Sequence, residues 1–174
     1  MTGKARILIF TGEGKGKTTA ALGMAFRASG HGLRILVIQF VKESDTGEIF
    51  AANTMANMKI VQTGLGFLPD AKSEEYCKHK LAAEEGLALA AESIESGNYD
   101  LIILDEVCVA VNKGLLQERD IIEVIDKTNE NMSLVLTGRY ATDGLINIAD
   151  TVSNIECVKH GLDAGILAQK GVEF

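Results

Sequence analysis

Thr11-Gly12-Glu13-Gly14-Lys15-Gly16-Lys17-Thr18-Thr19 follows the apolar run Ile7-Leu8-Ile9-Phe10 and precedes an alanine-rich helical pattern. Strand, glycine-rich loop and helix in that order make a cradle for phosphate groups. Alternating glycines let the backbone fold back and aim successive N–H groups inward, and the helix adds the positive end of its dipole. Lys17 would neutralise phosphate oxygens, and the Thr18 hydroxyl would ligate the magnesium that accompanies a nucleoside triphosphate. Lys17 is expected on the exposed loop, packed against nothing apolar. The usual pattern has glycine where Thr11 stands, so the loop is a variant. It is no dinucleotide fingerprint either, because Lys17 occupies the position of the third glycine.

Further apolar runs at Ile35–Phe40, Lys59–Val61, Leu101–Leu104, Leu134–Thr137 and Val152–Val158 alternate with helical patterns. This is the signature of β-α-β units. The expected fold is α/β, a P-loop NTPase-like three-layer α/β/α domain with a mostly parallel sheet, one domain over residues 1–174. The first helix should run from Thr18 to Ser29, with Gly30-His31-Gly32 as its stop and His31 as a helix-end residue. The longest helical pattern, Ser73 to Ser96, carries Ala83, Leu87, Ala90 and Ile94 on one stripe and places Glu84, Glu85, Glu92 and Glu95 on a solvated face. Gly64 to Asp70, with the only proline, Pro69, reads as an ordered loop. Thr142 and Asp143 open another helix.

With 174 residues, 47% of them hydrophobic, the chain has enough apolar content for one full core. Its net charge of −7 argues against a general nucleic-acid binder, whose phosphate contacts need a basic face. Cys77, Cys108 and Cys157 are odd in number and lack a C-x-x-C pair, so they read as buried thiols in a reducing cytoplasm rather than a disulfide framework or zinc site. Met1-Thr2-Gly3-Lys4 leads into the first strand without a signal peptide's apolar segment. No apolar run approaches the roughly 20 residues that span a bilayer, and no membrane association is expected.

The second half of the candidate site is Leu101-Ile102-Ile103-Leu104-Asp105-Glu106, an apolar strand ending in two acids. In a parallel sheet both carboxylates fall at the carboxyl edge, where such folds bind ligands. One acid would hold the metal, directly or through water, and the next would ligate it or act as a base. Arg139, in Thr137-Gly138-Arg139, falls on the same edge, as a phosphate contact or a plain surface arginine. These features alone fit an ATPase, a small-molecule kinase or another nucleotide-dependent transferase.

From Thr11 to Gly32, TGEGKGKTTAALGMAFRASGHG resembles the P-loop family of ATP:corrinoid adenosyltransferases, which make adenosylcobalamin. Val37–Lys42, Leu104-Asp105-Glu106, Thr137-Gly138-Arg139, Ala149–Val152 and the tail KHGLDAGILAQKGVEF, Lys159 to Phe174, are similar to the same family. The tail is the most specific of these, since general P-loop ATPases lack it. The resemblance implies that a cobalt(I) corrinoid attacks the 5′ carbon of ATP and inorganic triphosphate leaves. It implies that Gly12, Glu13, Gly14, Lys15, Gly16, Lys17, Thr18 and Thr19 hold ATP together with Arg139. Catalysis would fall to Lys17, Glu106 and Arg139. Thr18 and Glu106, with Asp105 behind them, would hold Mg2+ or Mn2+. It further implies a reduced flavoprotein partner, flavodoxin-like or a flavin reductase, together with a cytoplasmic location and a homodimer.

Three differences from the family pattern stand out. Glu13 replaces an asparagine. Leu65 and Phe67 stand where a corrinoid-facing phenylalanine and tryptophan are usual, and the chain has no Trp. The chain begins about where the sheet begins, so a capping N-terminal helix is expected to be missing or very short. The competing expectations are a P-loop ATPase or kinase in which Glu106 activates water or a hydroxyl, and a nucleotide-dependent corrinoid carrier without turnover. The arginines Arg6, Arg27, Arg34, Arg119 and Arg139 include no Arg-rich lid for a kinase.

Overall fold

The computed structural model describes residues 5–174, and the expectation attached to Met1–Lys4 lies outside them. Six strands form one sheet: β1 Arg6–Thr11, β2 Ile35–Gln39, β3 Met58–Gln62, β4 Leu101–Asp105, β5 Ser133–Thr137 and β6 Thr151–Asn154. Their order across the sheet is β3-β2-β4-β5-β1-β6. Every pairing is parallel, with Leu8 opposite Val135 and Val37 opposite Ile103, for example. All carboxyl ends therefore share one edge.

Helix α1, Lys17–Gly30, carries the chain from β1 to β2 across the intervening β5 and β4. Its buried residues Ala21, Ala25 and Ala28 pack against Ile35, Val37, Leu101, Ile103 and Val135. Small side chains at helical spacing let α1 lie close to the sheet and hold the loop before it over the ends of those strands. The opposite face takes the alternate strand residues Leu36, Ile38, Ile102, Leu104, Leu134 and Leu136. They meet the buried stripe of α3, Glu74–Ser96, formed by Ala83, Leu87, Ala90 and Ile94. Helix α3 starts where the Ser73 hydroxyl accepts from the Tyr76 amide at 3.2 Å and stops at Gly97 with φ 64°. These two layers around the sheet are the expected three-layer fold, and Glu84, Glu85, Glu92 and Glu95 are exposed as expected.

Several details differ from the sequence reading. The last strand stops at Asn154 instead of running to Val158, because β1, its only neighbour among the described residues, ends at Thr11 opposite Asn154 and Ile155 follows the chain onto the loop. Its amide donates to the Thr11 carbonyl at 2.8 Å and its carbonyl accepts from the Gly14 amide at 2.7 Å, so the chain leaves the sheet to brace the phosphate loop. Short helices α2 (Gly47–Ala52), α4 (Val107–Asn112) and α5 (Glu118–Ile125) had no distinct sequence signal, while α6 (Asp143–Ile148) starts where expected. The thiols are not all buried. Cys108 is, and burial beside Glu106 pushes its pKa up to about 12, whereas Cys77 and Cys157 are exposed. No described helix is long and apolar enough to cross a membrane.

Candidate active site

Gly12, with φ 99°, and Gly16, with φ 120°, take backbone conformations that side-chain-bearing residues rarely adopt. They turn the loop after β1 back over the start of α1. Lys17 is the first residue of that helix and only 7% exposed, a correction to the expected exposed loop position. Its ammonium folds back and donates to the Gly14 carbonyl at 2.7 Å. Burial holds its pKa below the ordinary lysine value, with the positive charge of Arg139 acting the same way against the opposing pull of Glu106 and Glu13.

Asp105 ends β4 wholly buried, so its charge needs partners. Three elements and the loop after β2 supply them. The Thr18 and Thr137 hydroxyls donate to Oδ1 at 2.8 and 2.7 Å, and Gln39 Nε2 and Lys42 Nζ donate to Oδ2 at 3.1 and 3.0 Å. Glu106, next along, sits at φ 63°, a left-handed conformation that costs a non-glycine residue about 1–2 kcal/mol. Its amide donates to the Thr137 hydroxyl at 2.9 Å, which anchors the twist. The turn keeps the Glu106 side chain among the residues lining the cavity over the loop. Burial and the neighbouring Asp105 raise its pKa, against the pull of Lys42, Lys17 and Arg139.

Loop residues Glu13 to Thr19 share one cavity of about 500 Å³ with Glu106 and Arg139, so the geometry unites most of the predicted site. Gly12 and Asp105 stand behind its wall rather than on it. Arg139 reaches across from the end of β5, and its Nη1 lies 2.9 Å from Glu13 Oε2 in a half-exposed ion pair. Leu65 and Phe67 do not line this cavity. Phe67 is 97% exposed, which rules out an anchor in the core. Its loop nevertheless borders the site, because Gly64 packs against the backbone of Val41 and Lys42.

The structure adds residues that were assigned no role from the sequence. Lys42 lines the cavity and binds Asp105, and Gln39 buttresses the same carboxylate. Gln39 ends an apolar strand at the carboxyl edge and Lys42 follows it, the signal that picked out Asp105 and Glu106. The tail closes the far side of the cavity with His160 and the turn Gly171 to Phe174. Lys15 meets that turn, donating to the Val172 carbonyl at 3.0 Å and lying 3.4 Å from Glu173. Its ammonium is therefore directed to the tail. Among the described residues no cluster of three or more His, Cys, Asp or Glu side chains could hold a metal alone.

The family described as "ATP:corrinoid adenosyltransferase BtuR/CobO/CobP" matches residues 3–174. A corrinoid adenosyltransferase of Pseudomonas aeruginosa is 36% identical over 97% of this chain and 83% of its own length. One from Escherichia coli (strain K12) is 33% identical over 97% of this chain and 85% of its own. A KaiC-like protein of Pyrococcus horikoshii shares the fold, with a TM-score of 0.55 at 15% identity over 88% of this chain and 72% of its own. The chain belongs to the P-loop ATP:corrinoid adenosyltransferase family.

Proposed function

We propose that the chain is an adenosyltransferase that moves the 5′-deoxyadenosyl group of ATP to a cobalt(I) corrinoid and releases inorganic triphosphate. The family match over residues 3–174, with the phosphate loop and the Asp105-Glu106 edge both in place, carries this reading. The bond that breaks joins the 5′ carbon to oxygen, and its electron pair leaves with the triphosphate. The cobalt supplies the pair for the new bond, so the protein needs no nucleophile of its own. Its contribution is positioning and charge. Lys17, Arg139 and Lys42 place cations around the departing triphosphate, where fixed charges in a sheltered site count most.

The oxygen donors of Thr18, Asp105 and Glu106 suit a hard divalent cation such as Mg2+. Thr18 and Glu106 would hold it, with Asp105 fixing Thr18 through the 2.8 Å bond. Magnesium so bound would neutralise part of the triphosphate charge. Leu65 and the exposed ring of Phe67 would face the corrin. Residues 1–174 would act as one unit, as a homodimer in the cytoplasm, supplied with electrons by a reduced flavoprotein.

Glu106→Gln is expected to weaken magnesium-dependent turnover roughly 10- to 100-fold, because a neutral amide is a poorer ligand. Without nucleotide or metal the same variant should unfold no more easily than wild type at pH 7. Glu106 has a raised folded-state pKa, so its ionised form costs stability at neutral pH, and that cost fades as pH falls towards 4.5. The stabilising effect of the substitution should shrink over the same range in thermal melts. Undiminished turnover would make Glu106 a bystander.

A β,γ-methylene analogue of ATP tests the reaction class. An adenosyltransferase never cleaves the β–γ linkage, so with reduced corrinoid the analogue should still yield adenosylated corrinoid. Binding of both substrates without product would point to a carrier, and turnover of ATP but not of the analogue to an ATPase or kinase.

A further inference from the structure

Glu13 is an acid inside a phosphate loop. The loop amides and the start of α1 favour anions, and a carboxylate in their midst opposes the next anion to arrive. Its side chain is half-exposed and forms an ion pair with Arg139 at 2.9 Å. Arg139 itself is mounted on a stiff base. Gly138, at φ 133°, sits against Cys108 and the Val109 amide where a Cβ would not fit, so the backbone there is fixed while the exposed guanidinium can pivot. Both residues line the loop cavity.

We propose that Glu13 is a displaceable counter-anion for Arg139, and that it limits how tightly the site retains triphosphate. This rests on the reading of the cavity as a triphosphate site. A half-exposed ion pair shifts an equilibrium by no more than about fivefold. A triphosphate offers the guanidinium several charged, bidentate acceptors and displaces a single carboxylate. Glu13 is then left unpaired beside the phosphates and repels them. Inorganic triphosphate has one more anionic oxygen than the chain of ATP, because the ester oxygen is freed. Glu13 therefore penalises product more than substrate and favours release of the leaving group.

The probe is inorganic triphosphate with Mg2+, titrated calorimetrically into wild type, Glu13→Gln, Glu13→Ala, Arg139→Ala and the double variant Glu13→Ala/Arg139→Ala. Both side chains are half-exposed, so melts should confirm that every variant folds. The two Glu13 variants should bind about fivefold tighter than wild type. Arg139→Ala should bind more weakly, and in its background Glu13→Ala should gain clearly less. Weaker or unchanged binding by the Glu13 variants would overturn the proposal, making Glu13 a scaffold for Arg139 or a bystander. Equal tightening in both backgrounds would also overturn it, leaving plain repulsion without competition for Arg139. A wild type that binds no triphosphate would instead overturn the reading of the cavity on which the proposal stands.

Discussion

Lys17→Ala is expected to lower kcat/KM for ATP by two to three orders of magnitude, the usual cost of removing one preorganised group that stabilises developing charge, about 3–4 kcal/mol. The structure makes this a cleaner test than an exposed loop lysine would. Lys17 already sits buried over the loop, so its ammonium has only to exchange the Gly14 carbonyl for phosphate oxygens. Stability should hardly suffer. Alanine is the best helix former, and it removes a cation whose lowered pKa records an unfavourable burial. Between the lowered folded value and 10.5 the unfolded chain binds more protons, so the penalty is complete below the folded value and is lost as pH rises through that window. Thermal melts without nucleotide should place the variant within about 1 kcal/mol of wild type. Turnover within threefold of wild type would remove Lys17 from the mechanism.

Gly14→Ala should harm both function and fold. A Cβ there would collide with the Glu156 carbonyl and the neighbouring Ile155 backbone, the segment that braces the loop through the 2.7 Å bond from the Gly14 amide. Backbone cannot swing aside as a side chain can, so loop and tail must part. Overpacking of this kind costs about 1–3 kcal/mol, and melting should fall by roughly 2–10 °C. The loss of turnover should exceed what that destabilisation explains, approaching 100-fold, because a displacement of about 1 Å in a positioning element has that effect. Gly23→Ala is the control. It lies mid-helix with nothing within 4 Å of a Cβ, and it should be neutral or stabilising. A Gly14→Ala enzyme as stable and active as this control would contradict the bracing role of Ile155 and Glu156.

Much of the site was legible because its chemistry lies in contiguous residues. A glycine-rich loop between an apolar strand and a helix, and an apolar strand ending in Asp105-Glu106, each carry their context locally. The parallel sheet then brings them together as the alternation of elements implied. What the sequence concealed depends on distant partners. Burial of Lys17 follows from the fold-back of the loop, and the locking of Asp105 needs donors from α1, from β5 and from β2 with the loop after it. The apolar run after Val152 reads as strand, but its neighbour β1 ends at Thr11, and past that point the chain bonds to Gly14 in the phosphate loop. Helix α5 is eight residues long with no side-chain cap, and packing of Ile121, Val124 and Ile125 holds it. Pairing of Glu13 with Arg139 across the cavity could not be inferred from either residue's neighbours in sequence.

The leaving group tests the account most directly. ATP, Mg2+ and a chemically reduced corrinoid, combined anaerobically with the protein, should give adenosylated corrinoid and inorganic triphosphate in equal amounts, with ADP and phosphate at background. Equal yields follow from cleavage at the 5′ carbon, since each transfer frees one intact triphosphate. Release of ADP and phosphate at enzymatic rates without corrinoid would contradict the account, because that chemistry cuts phosphorus–oxygen bonds at the far end of the nucleotide.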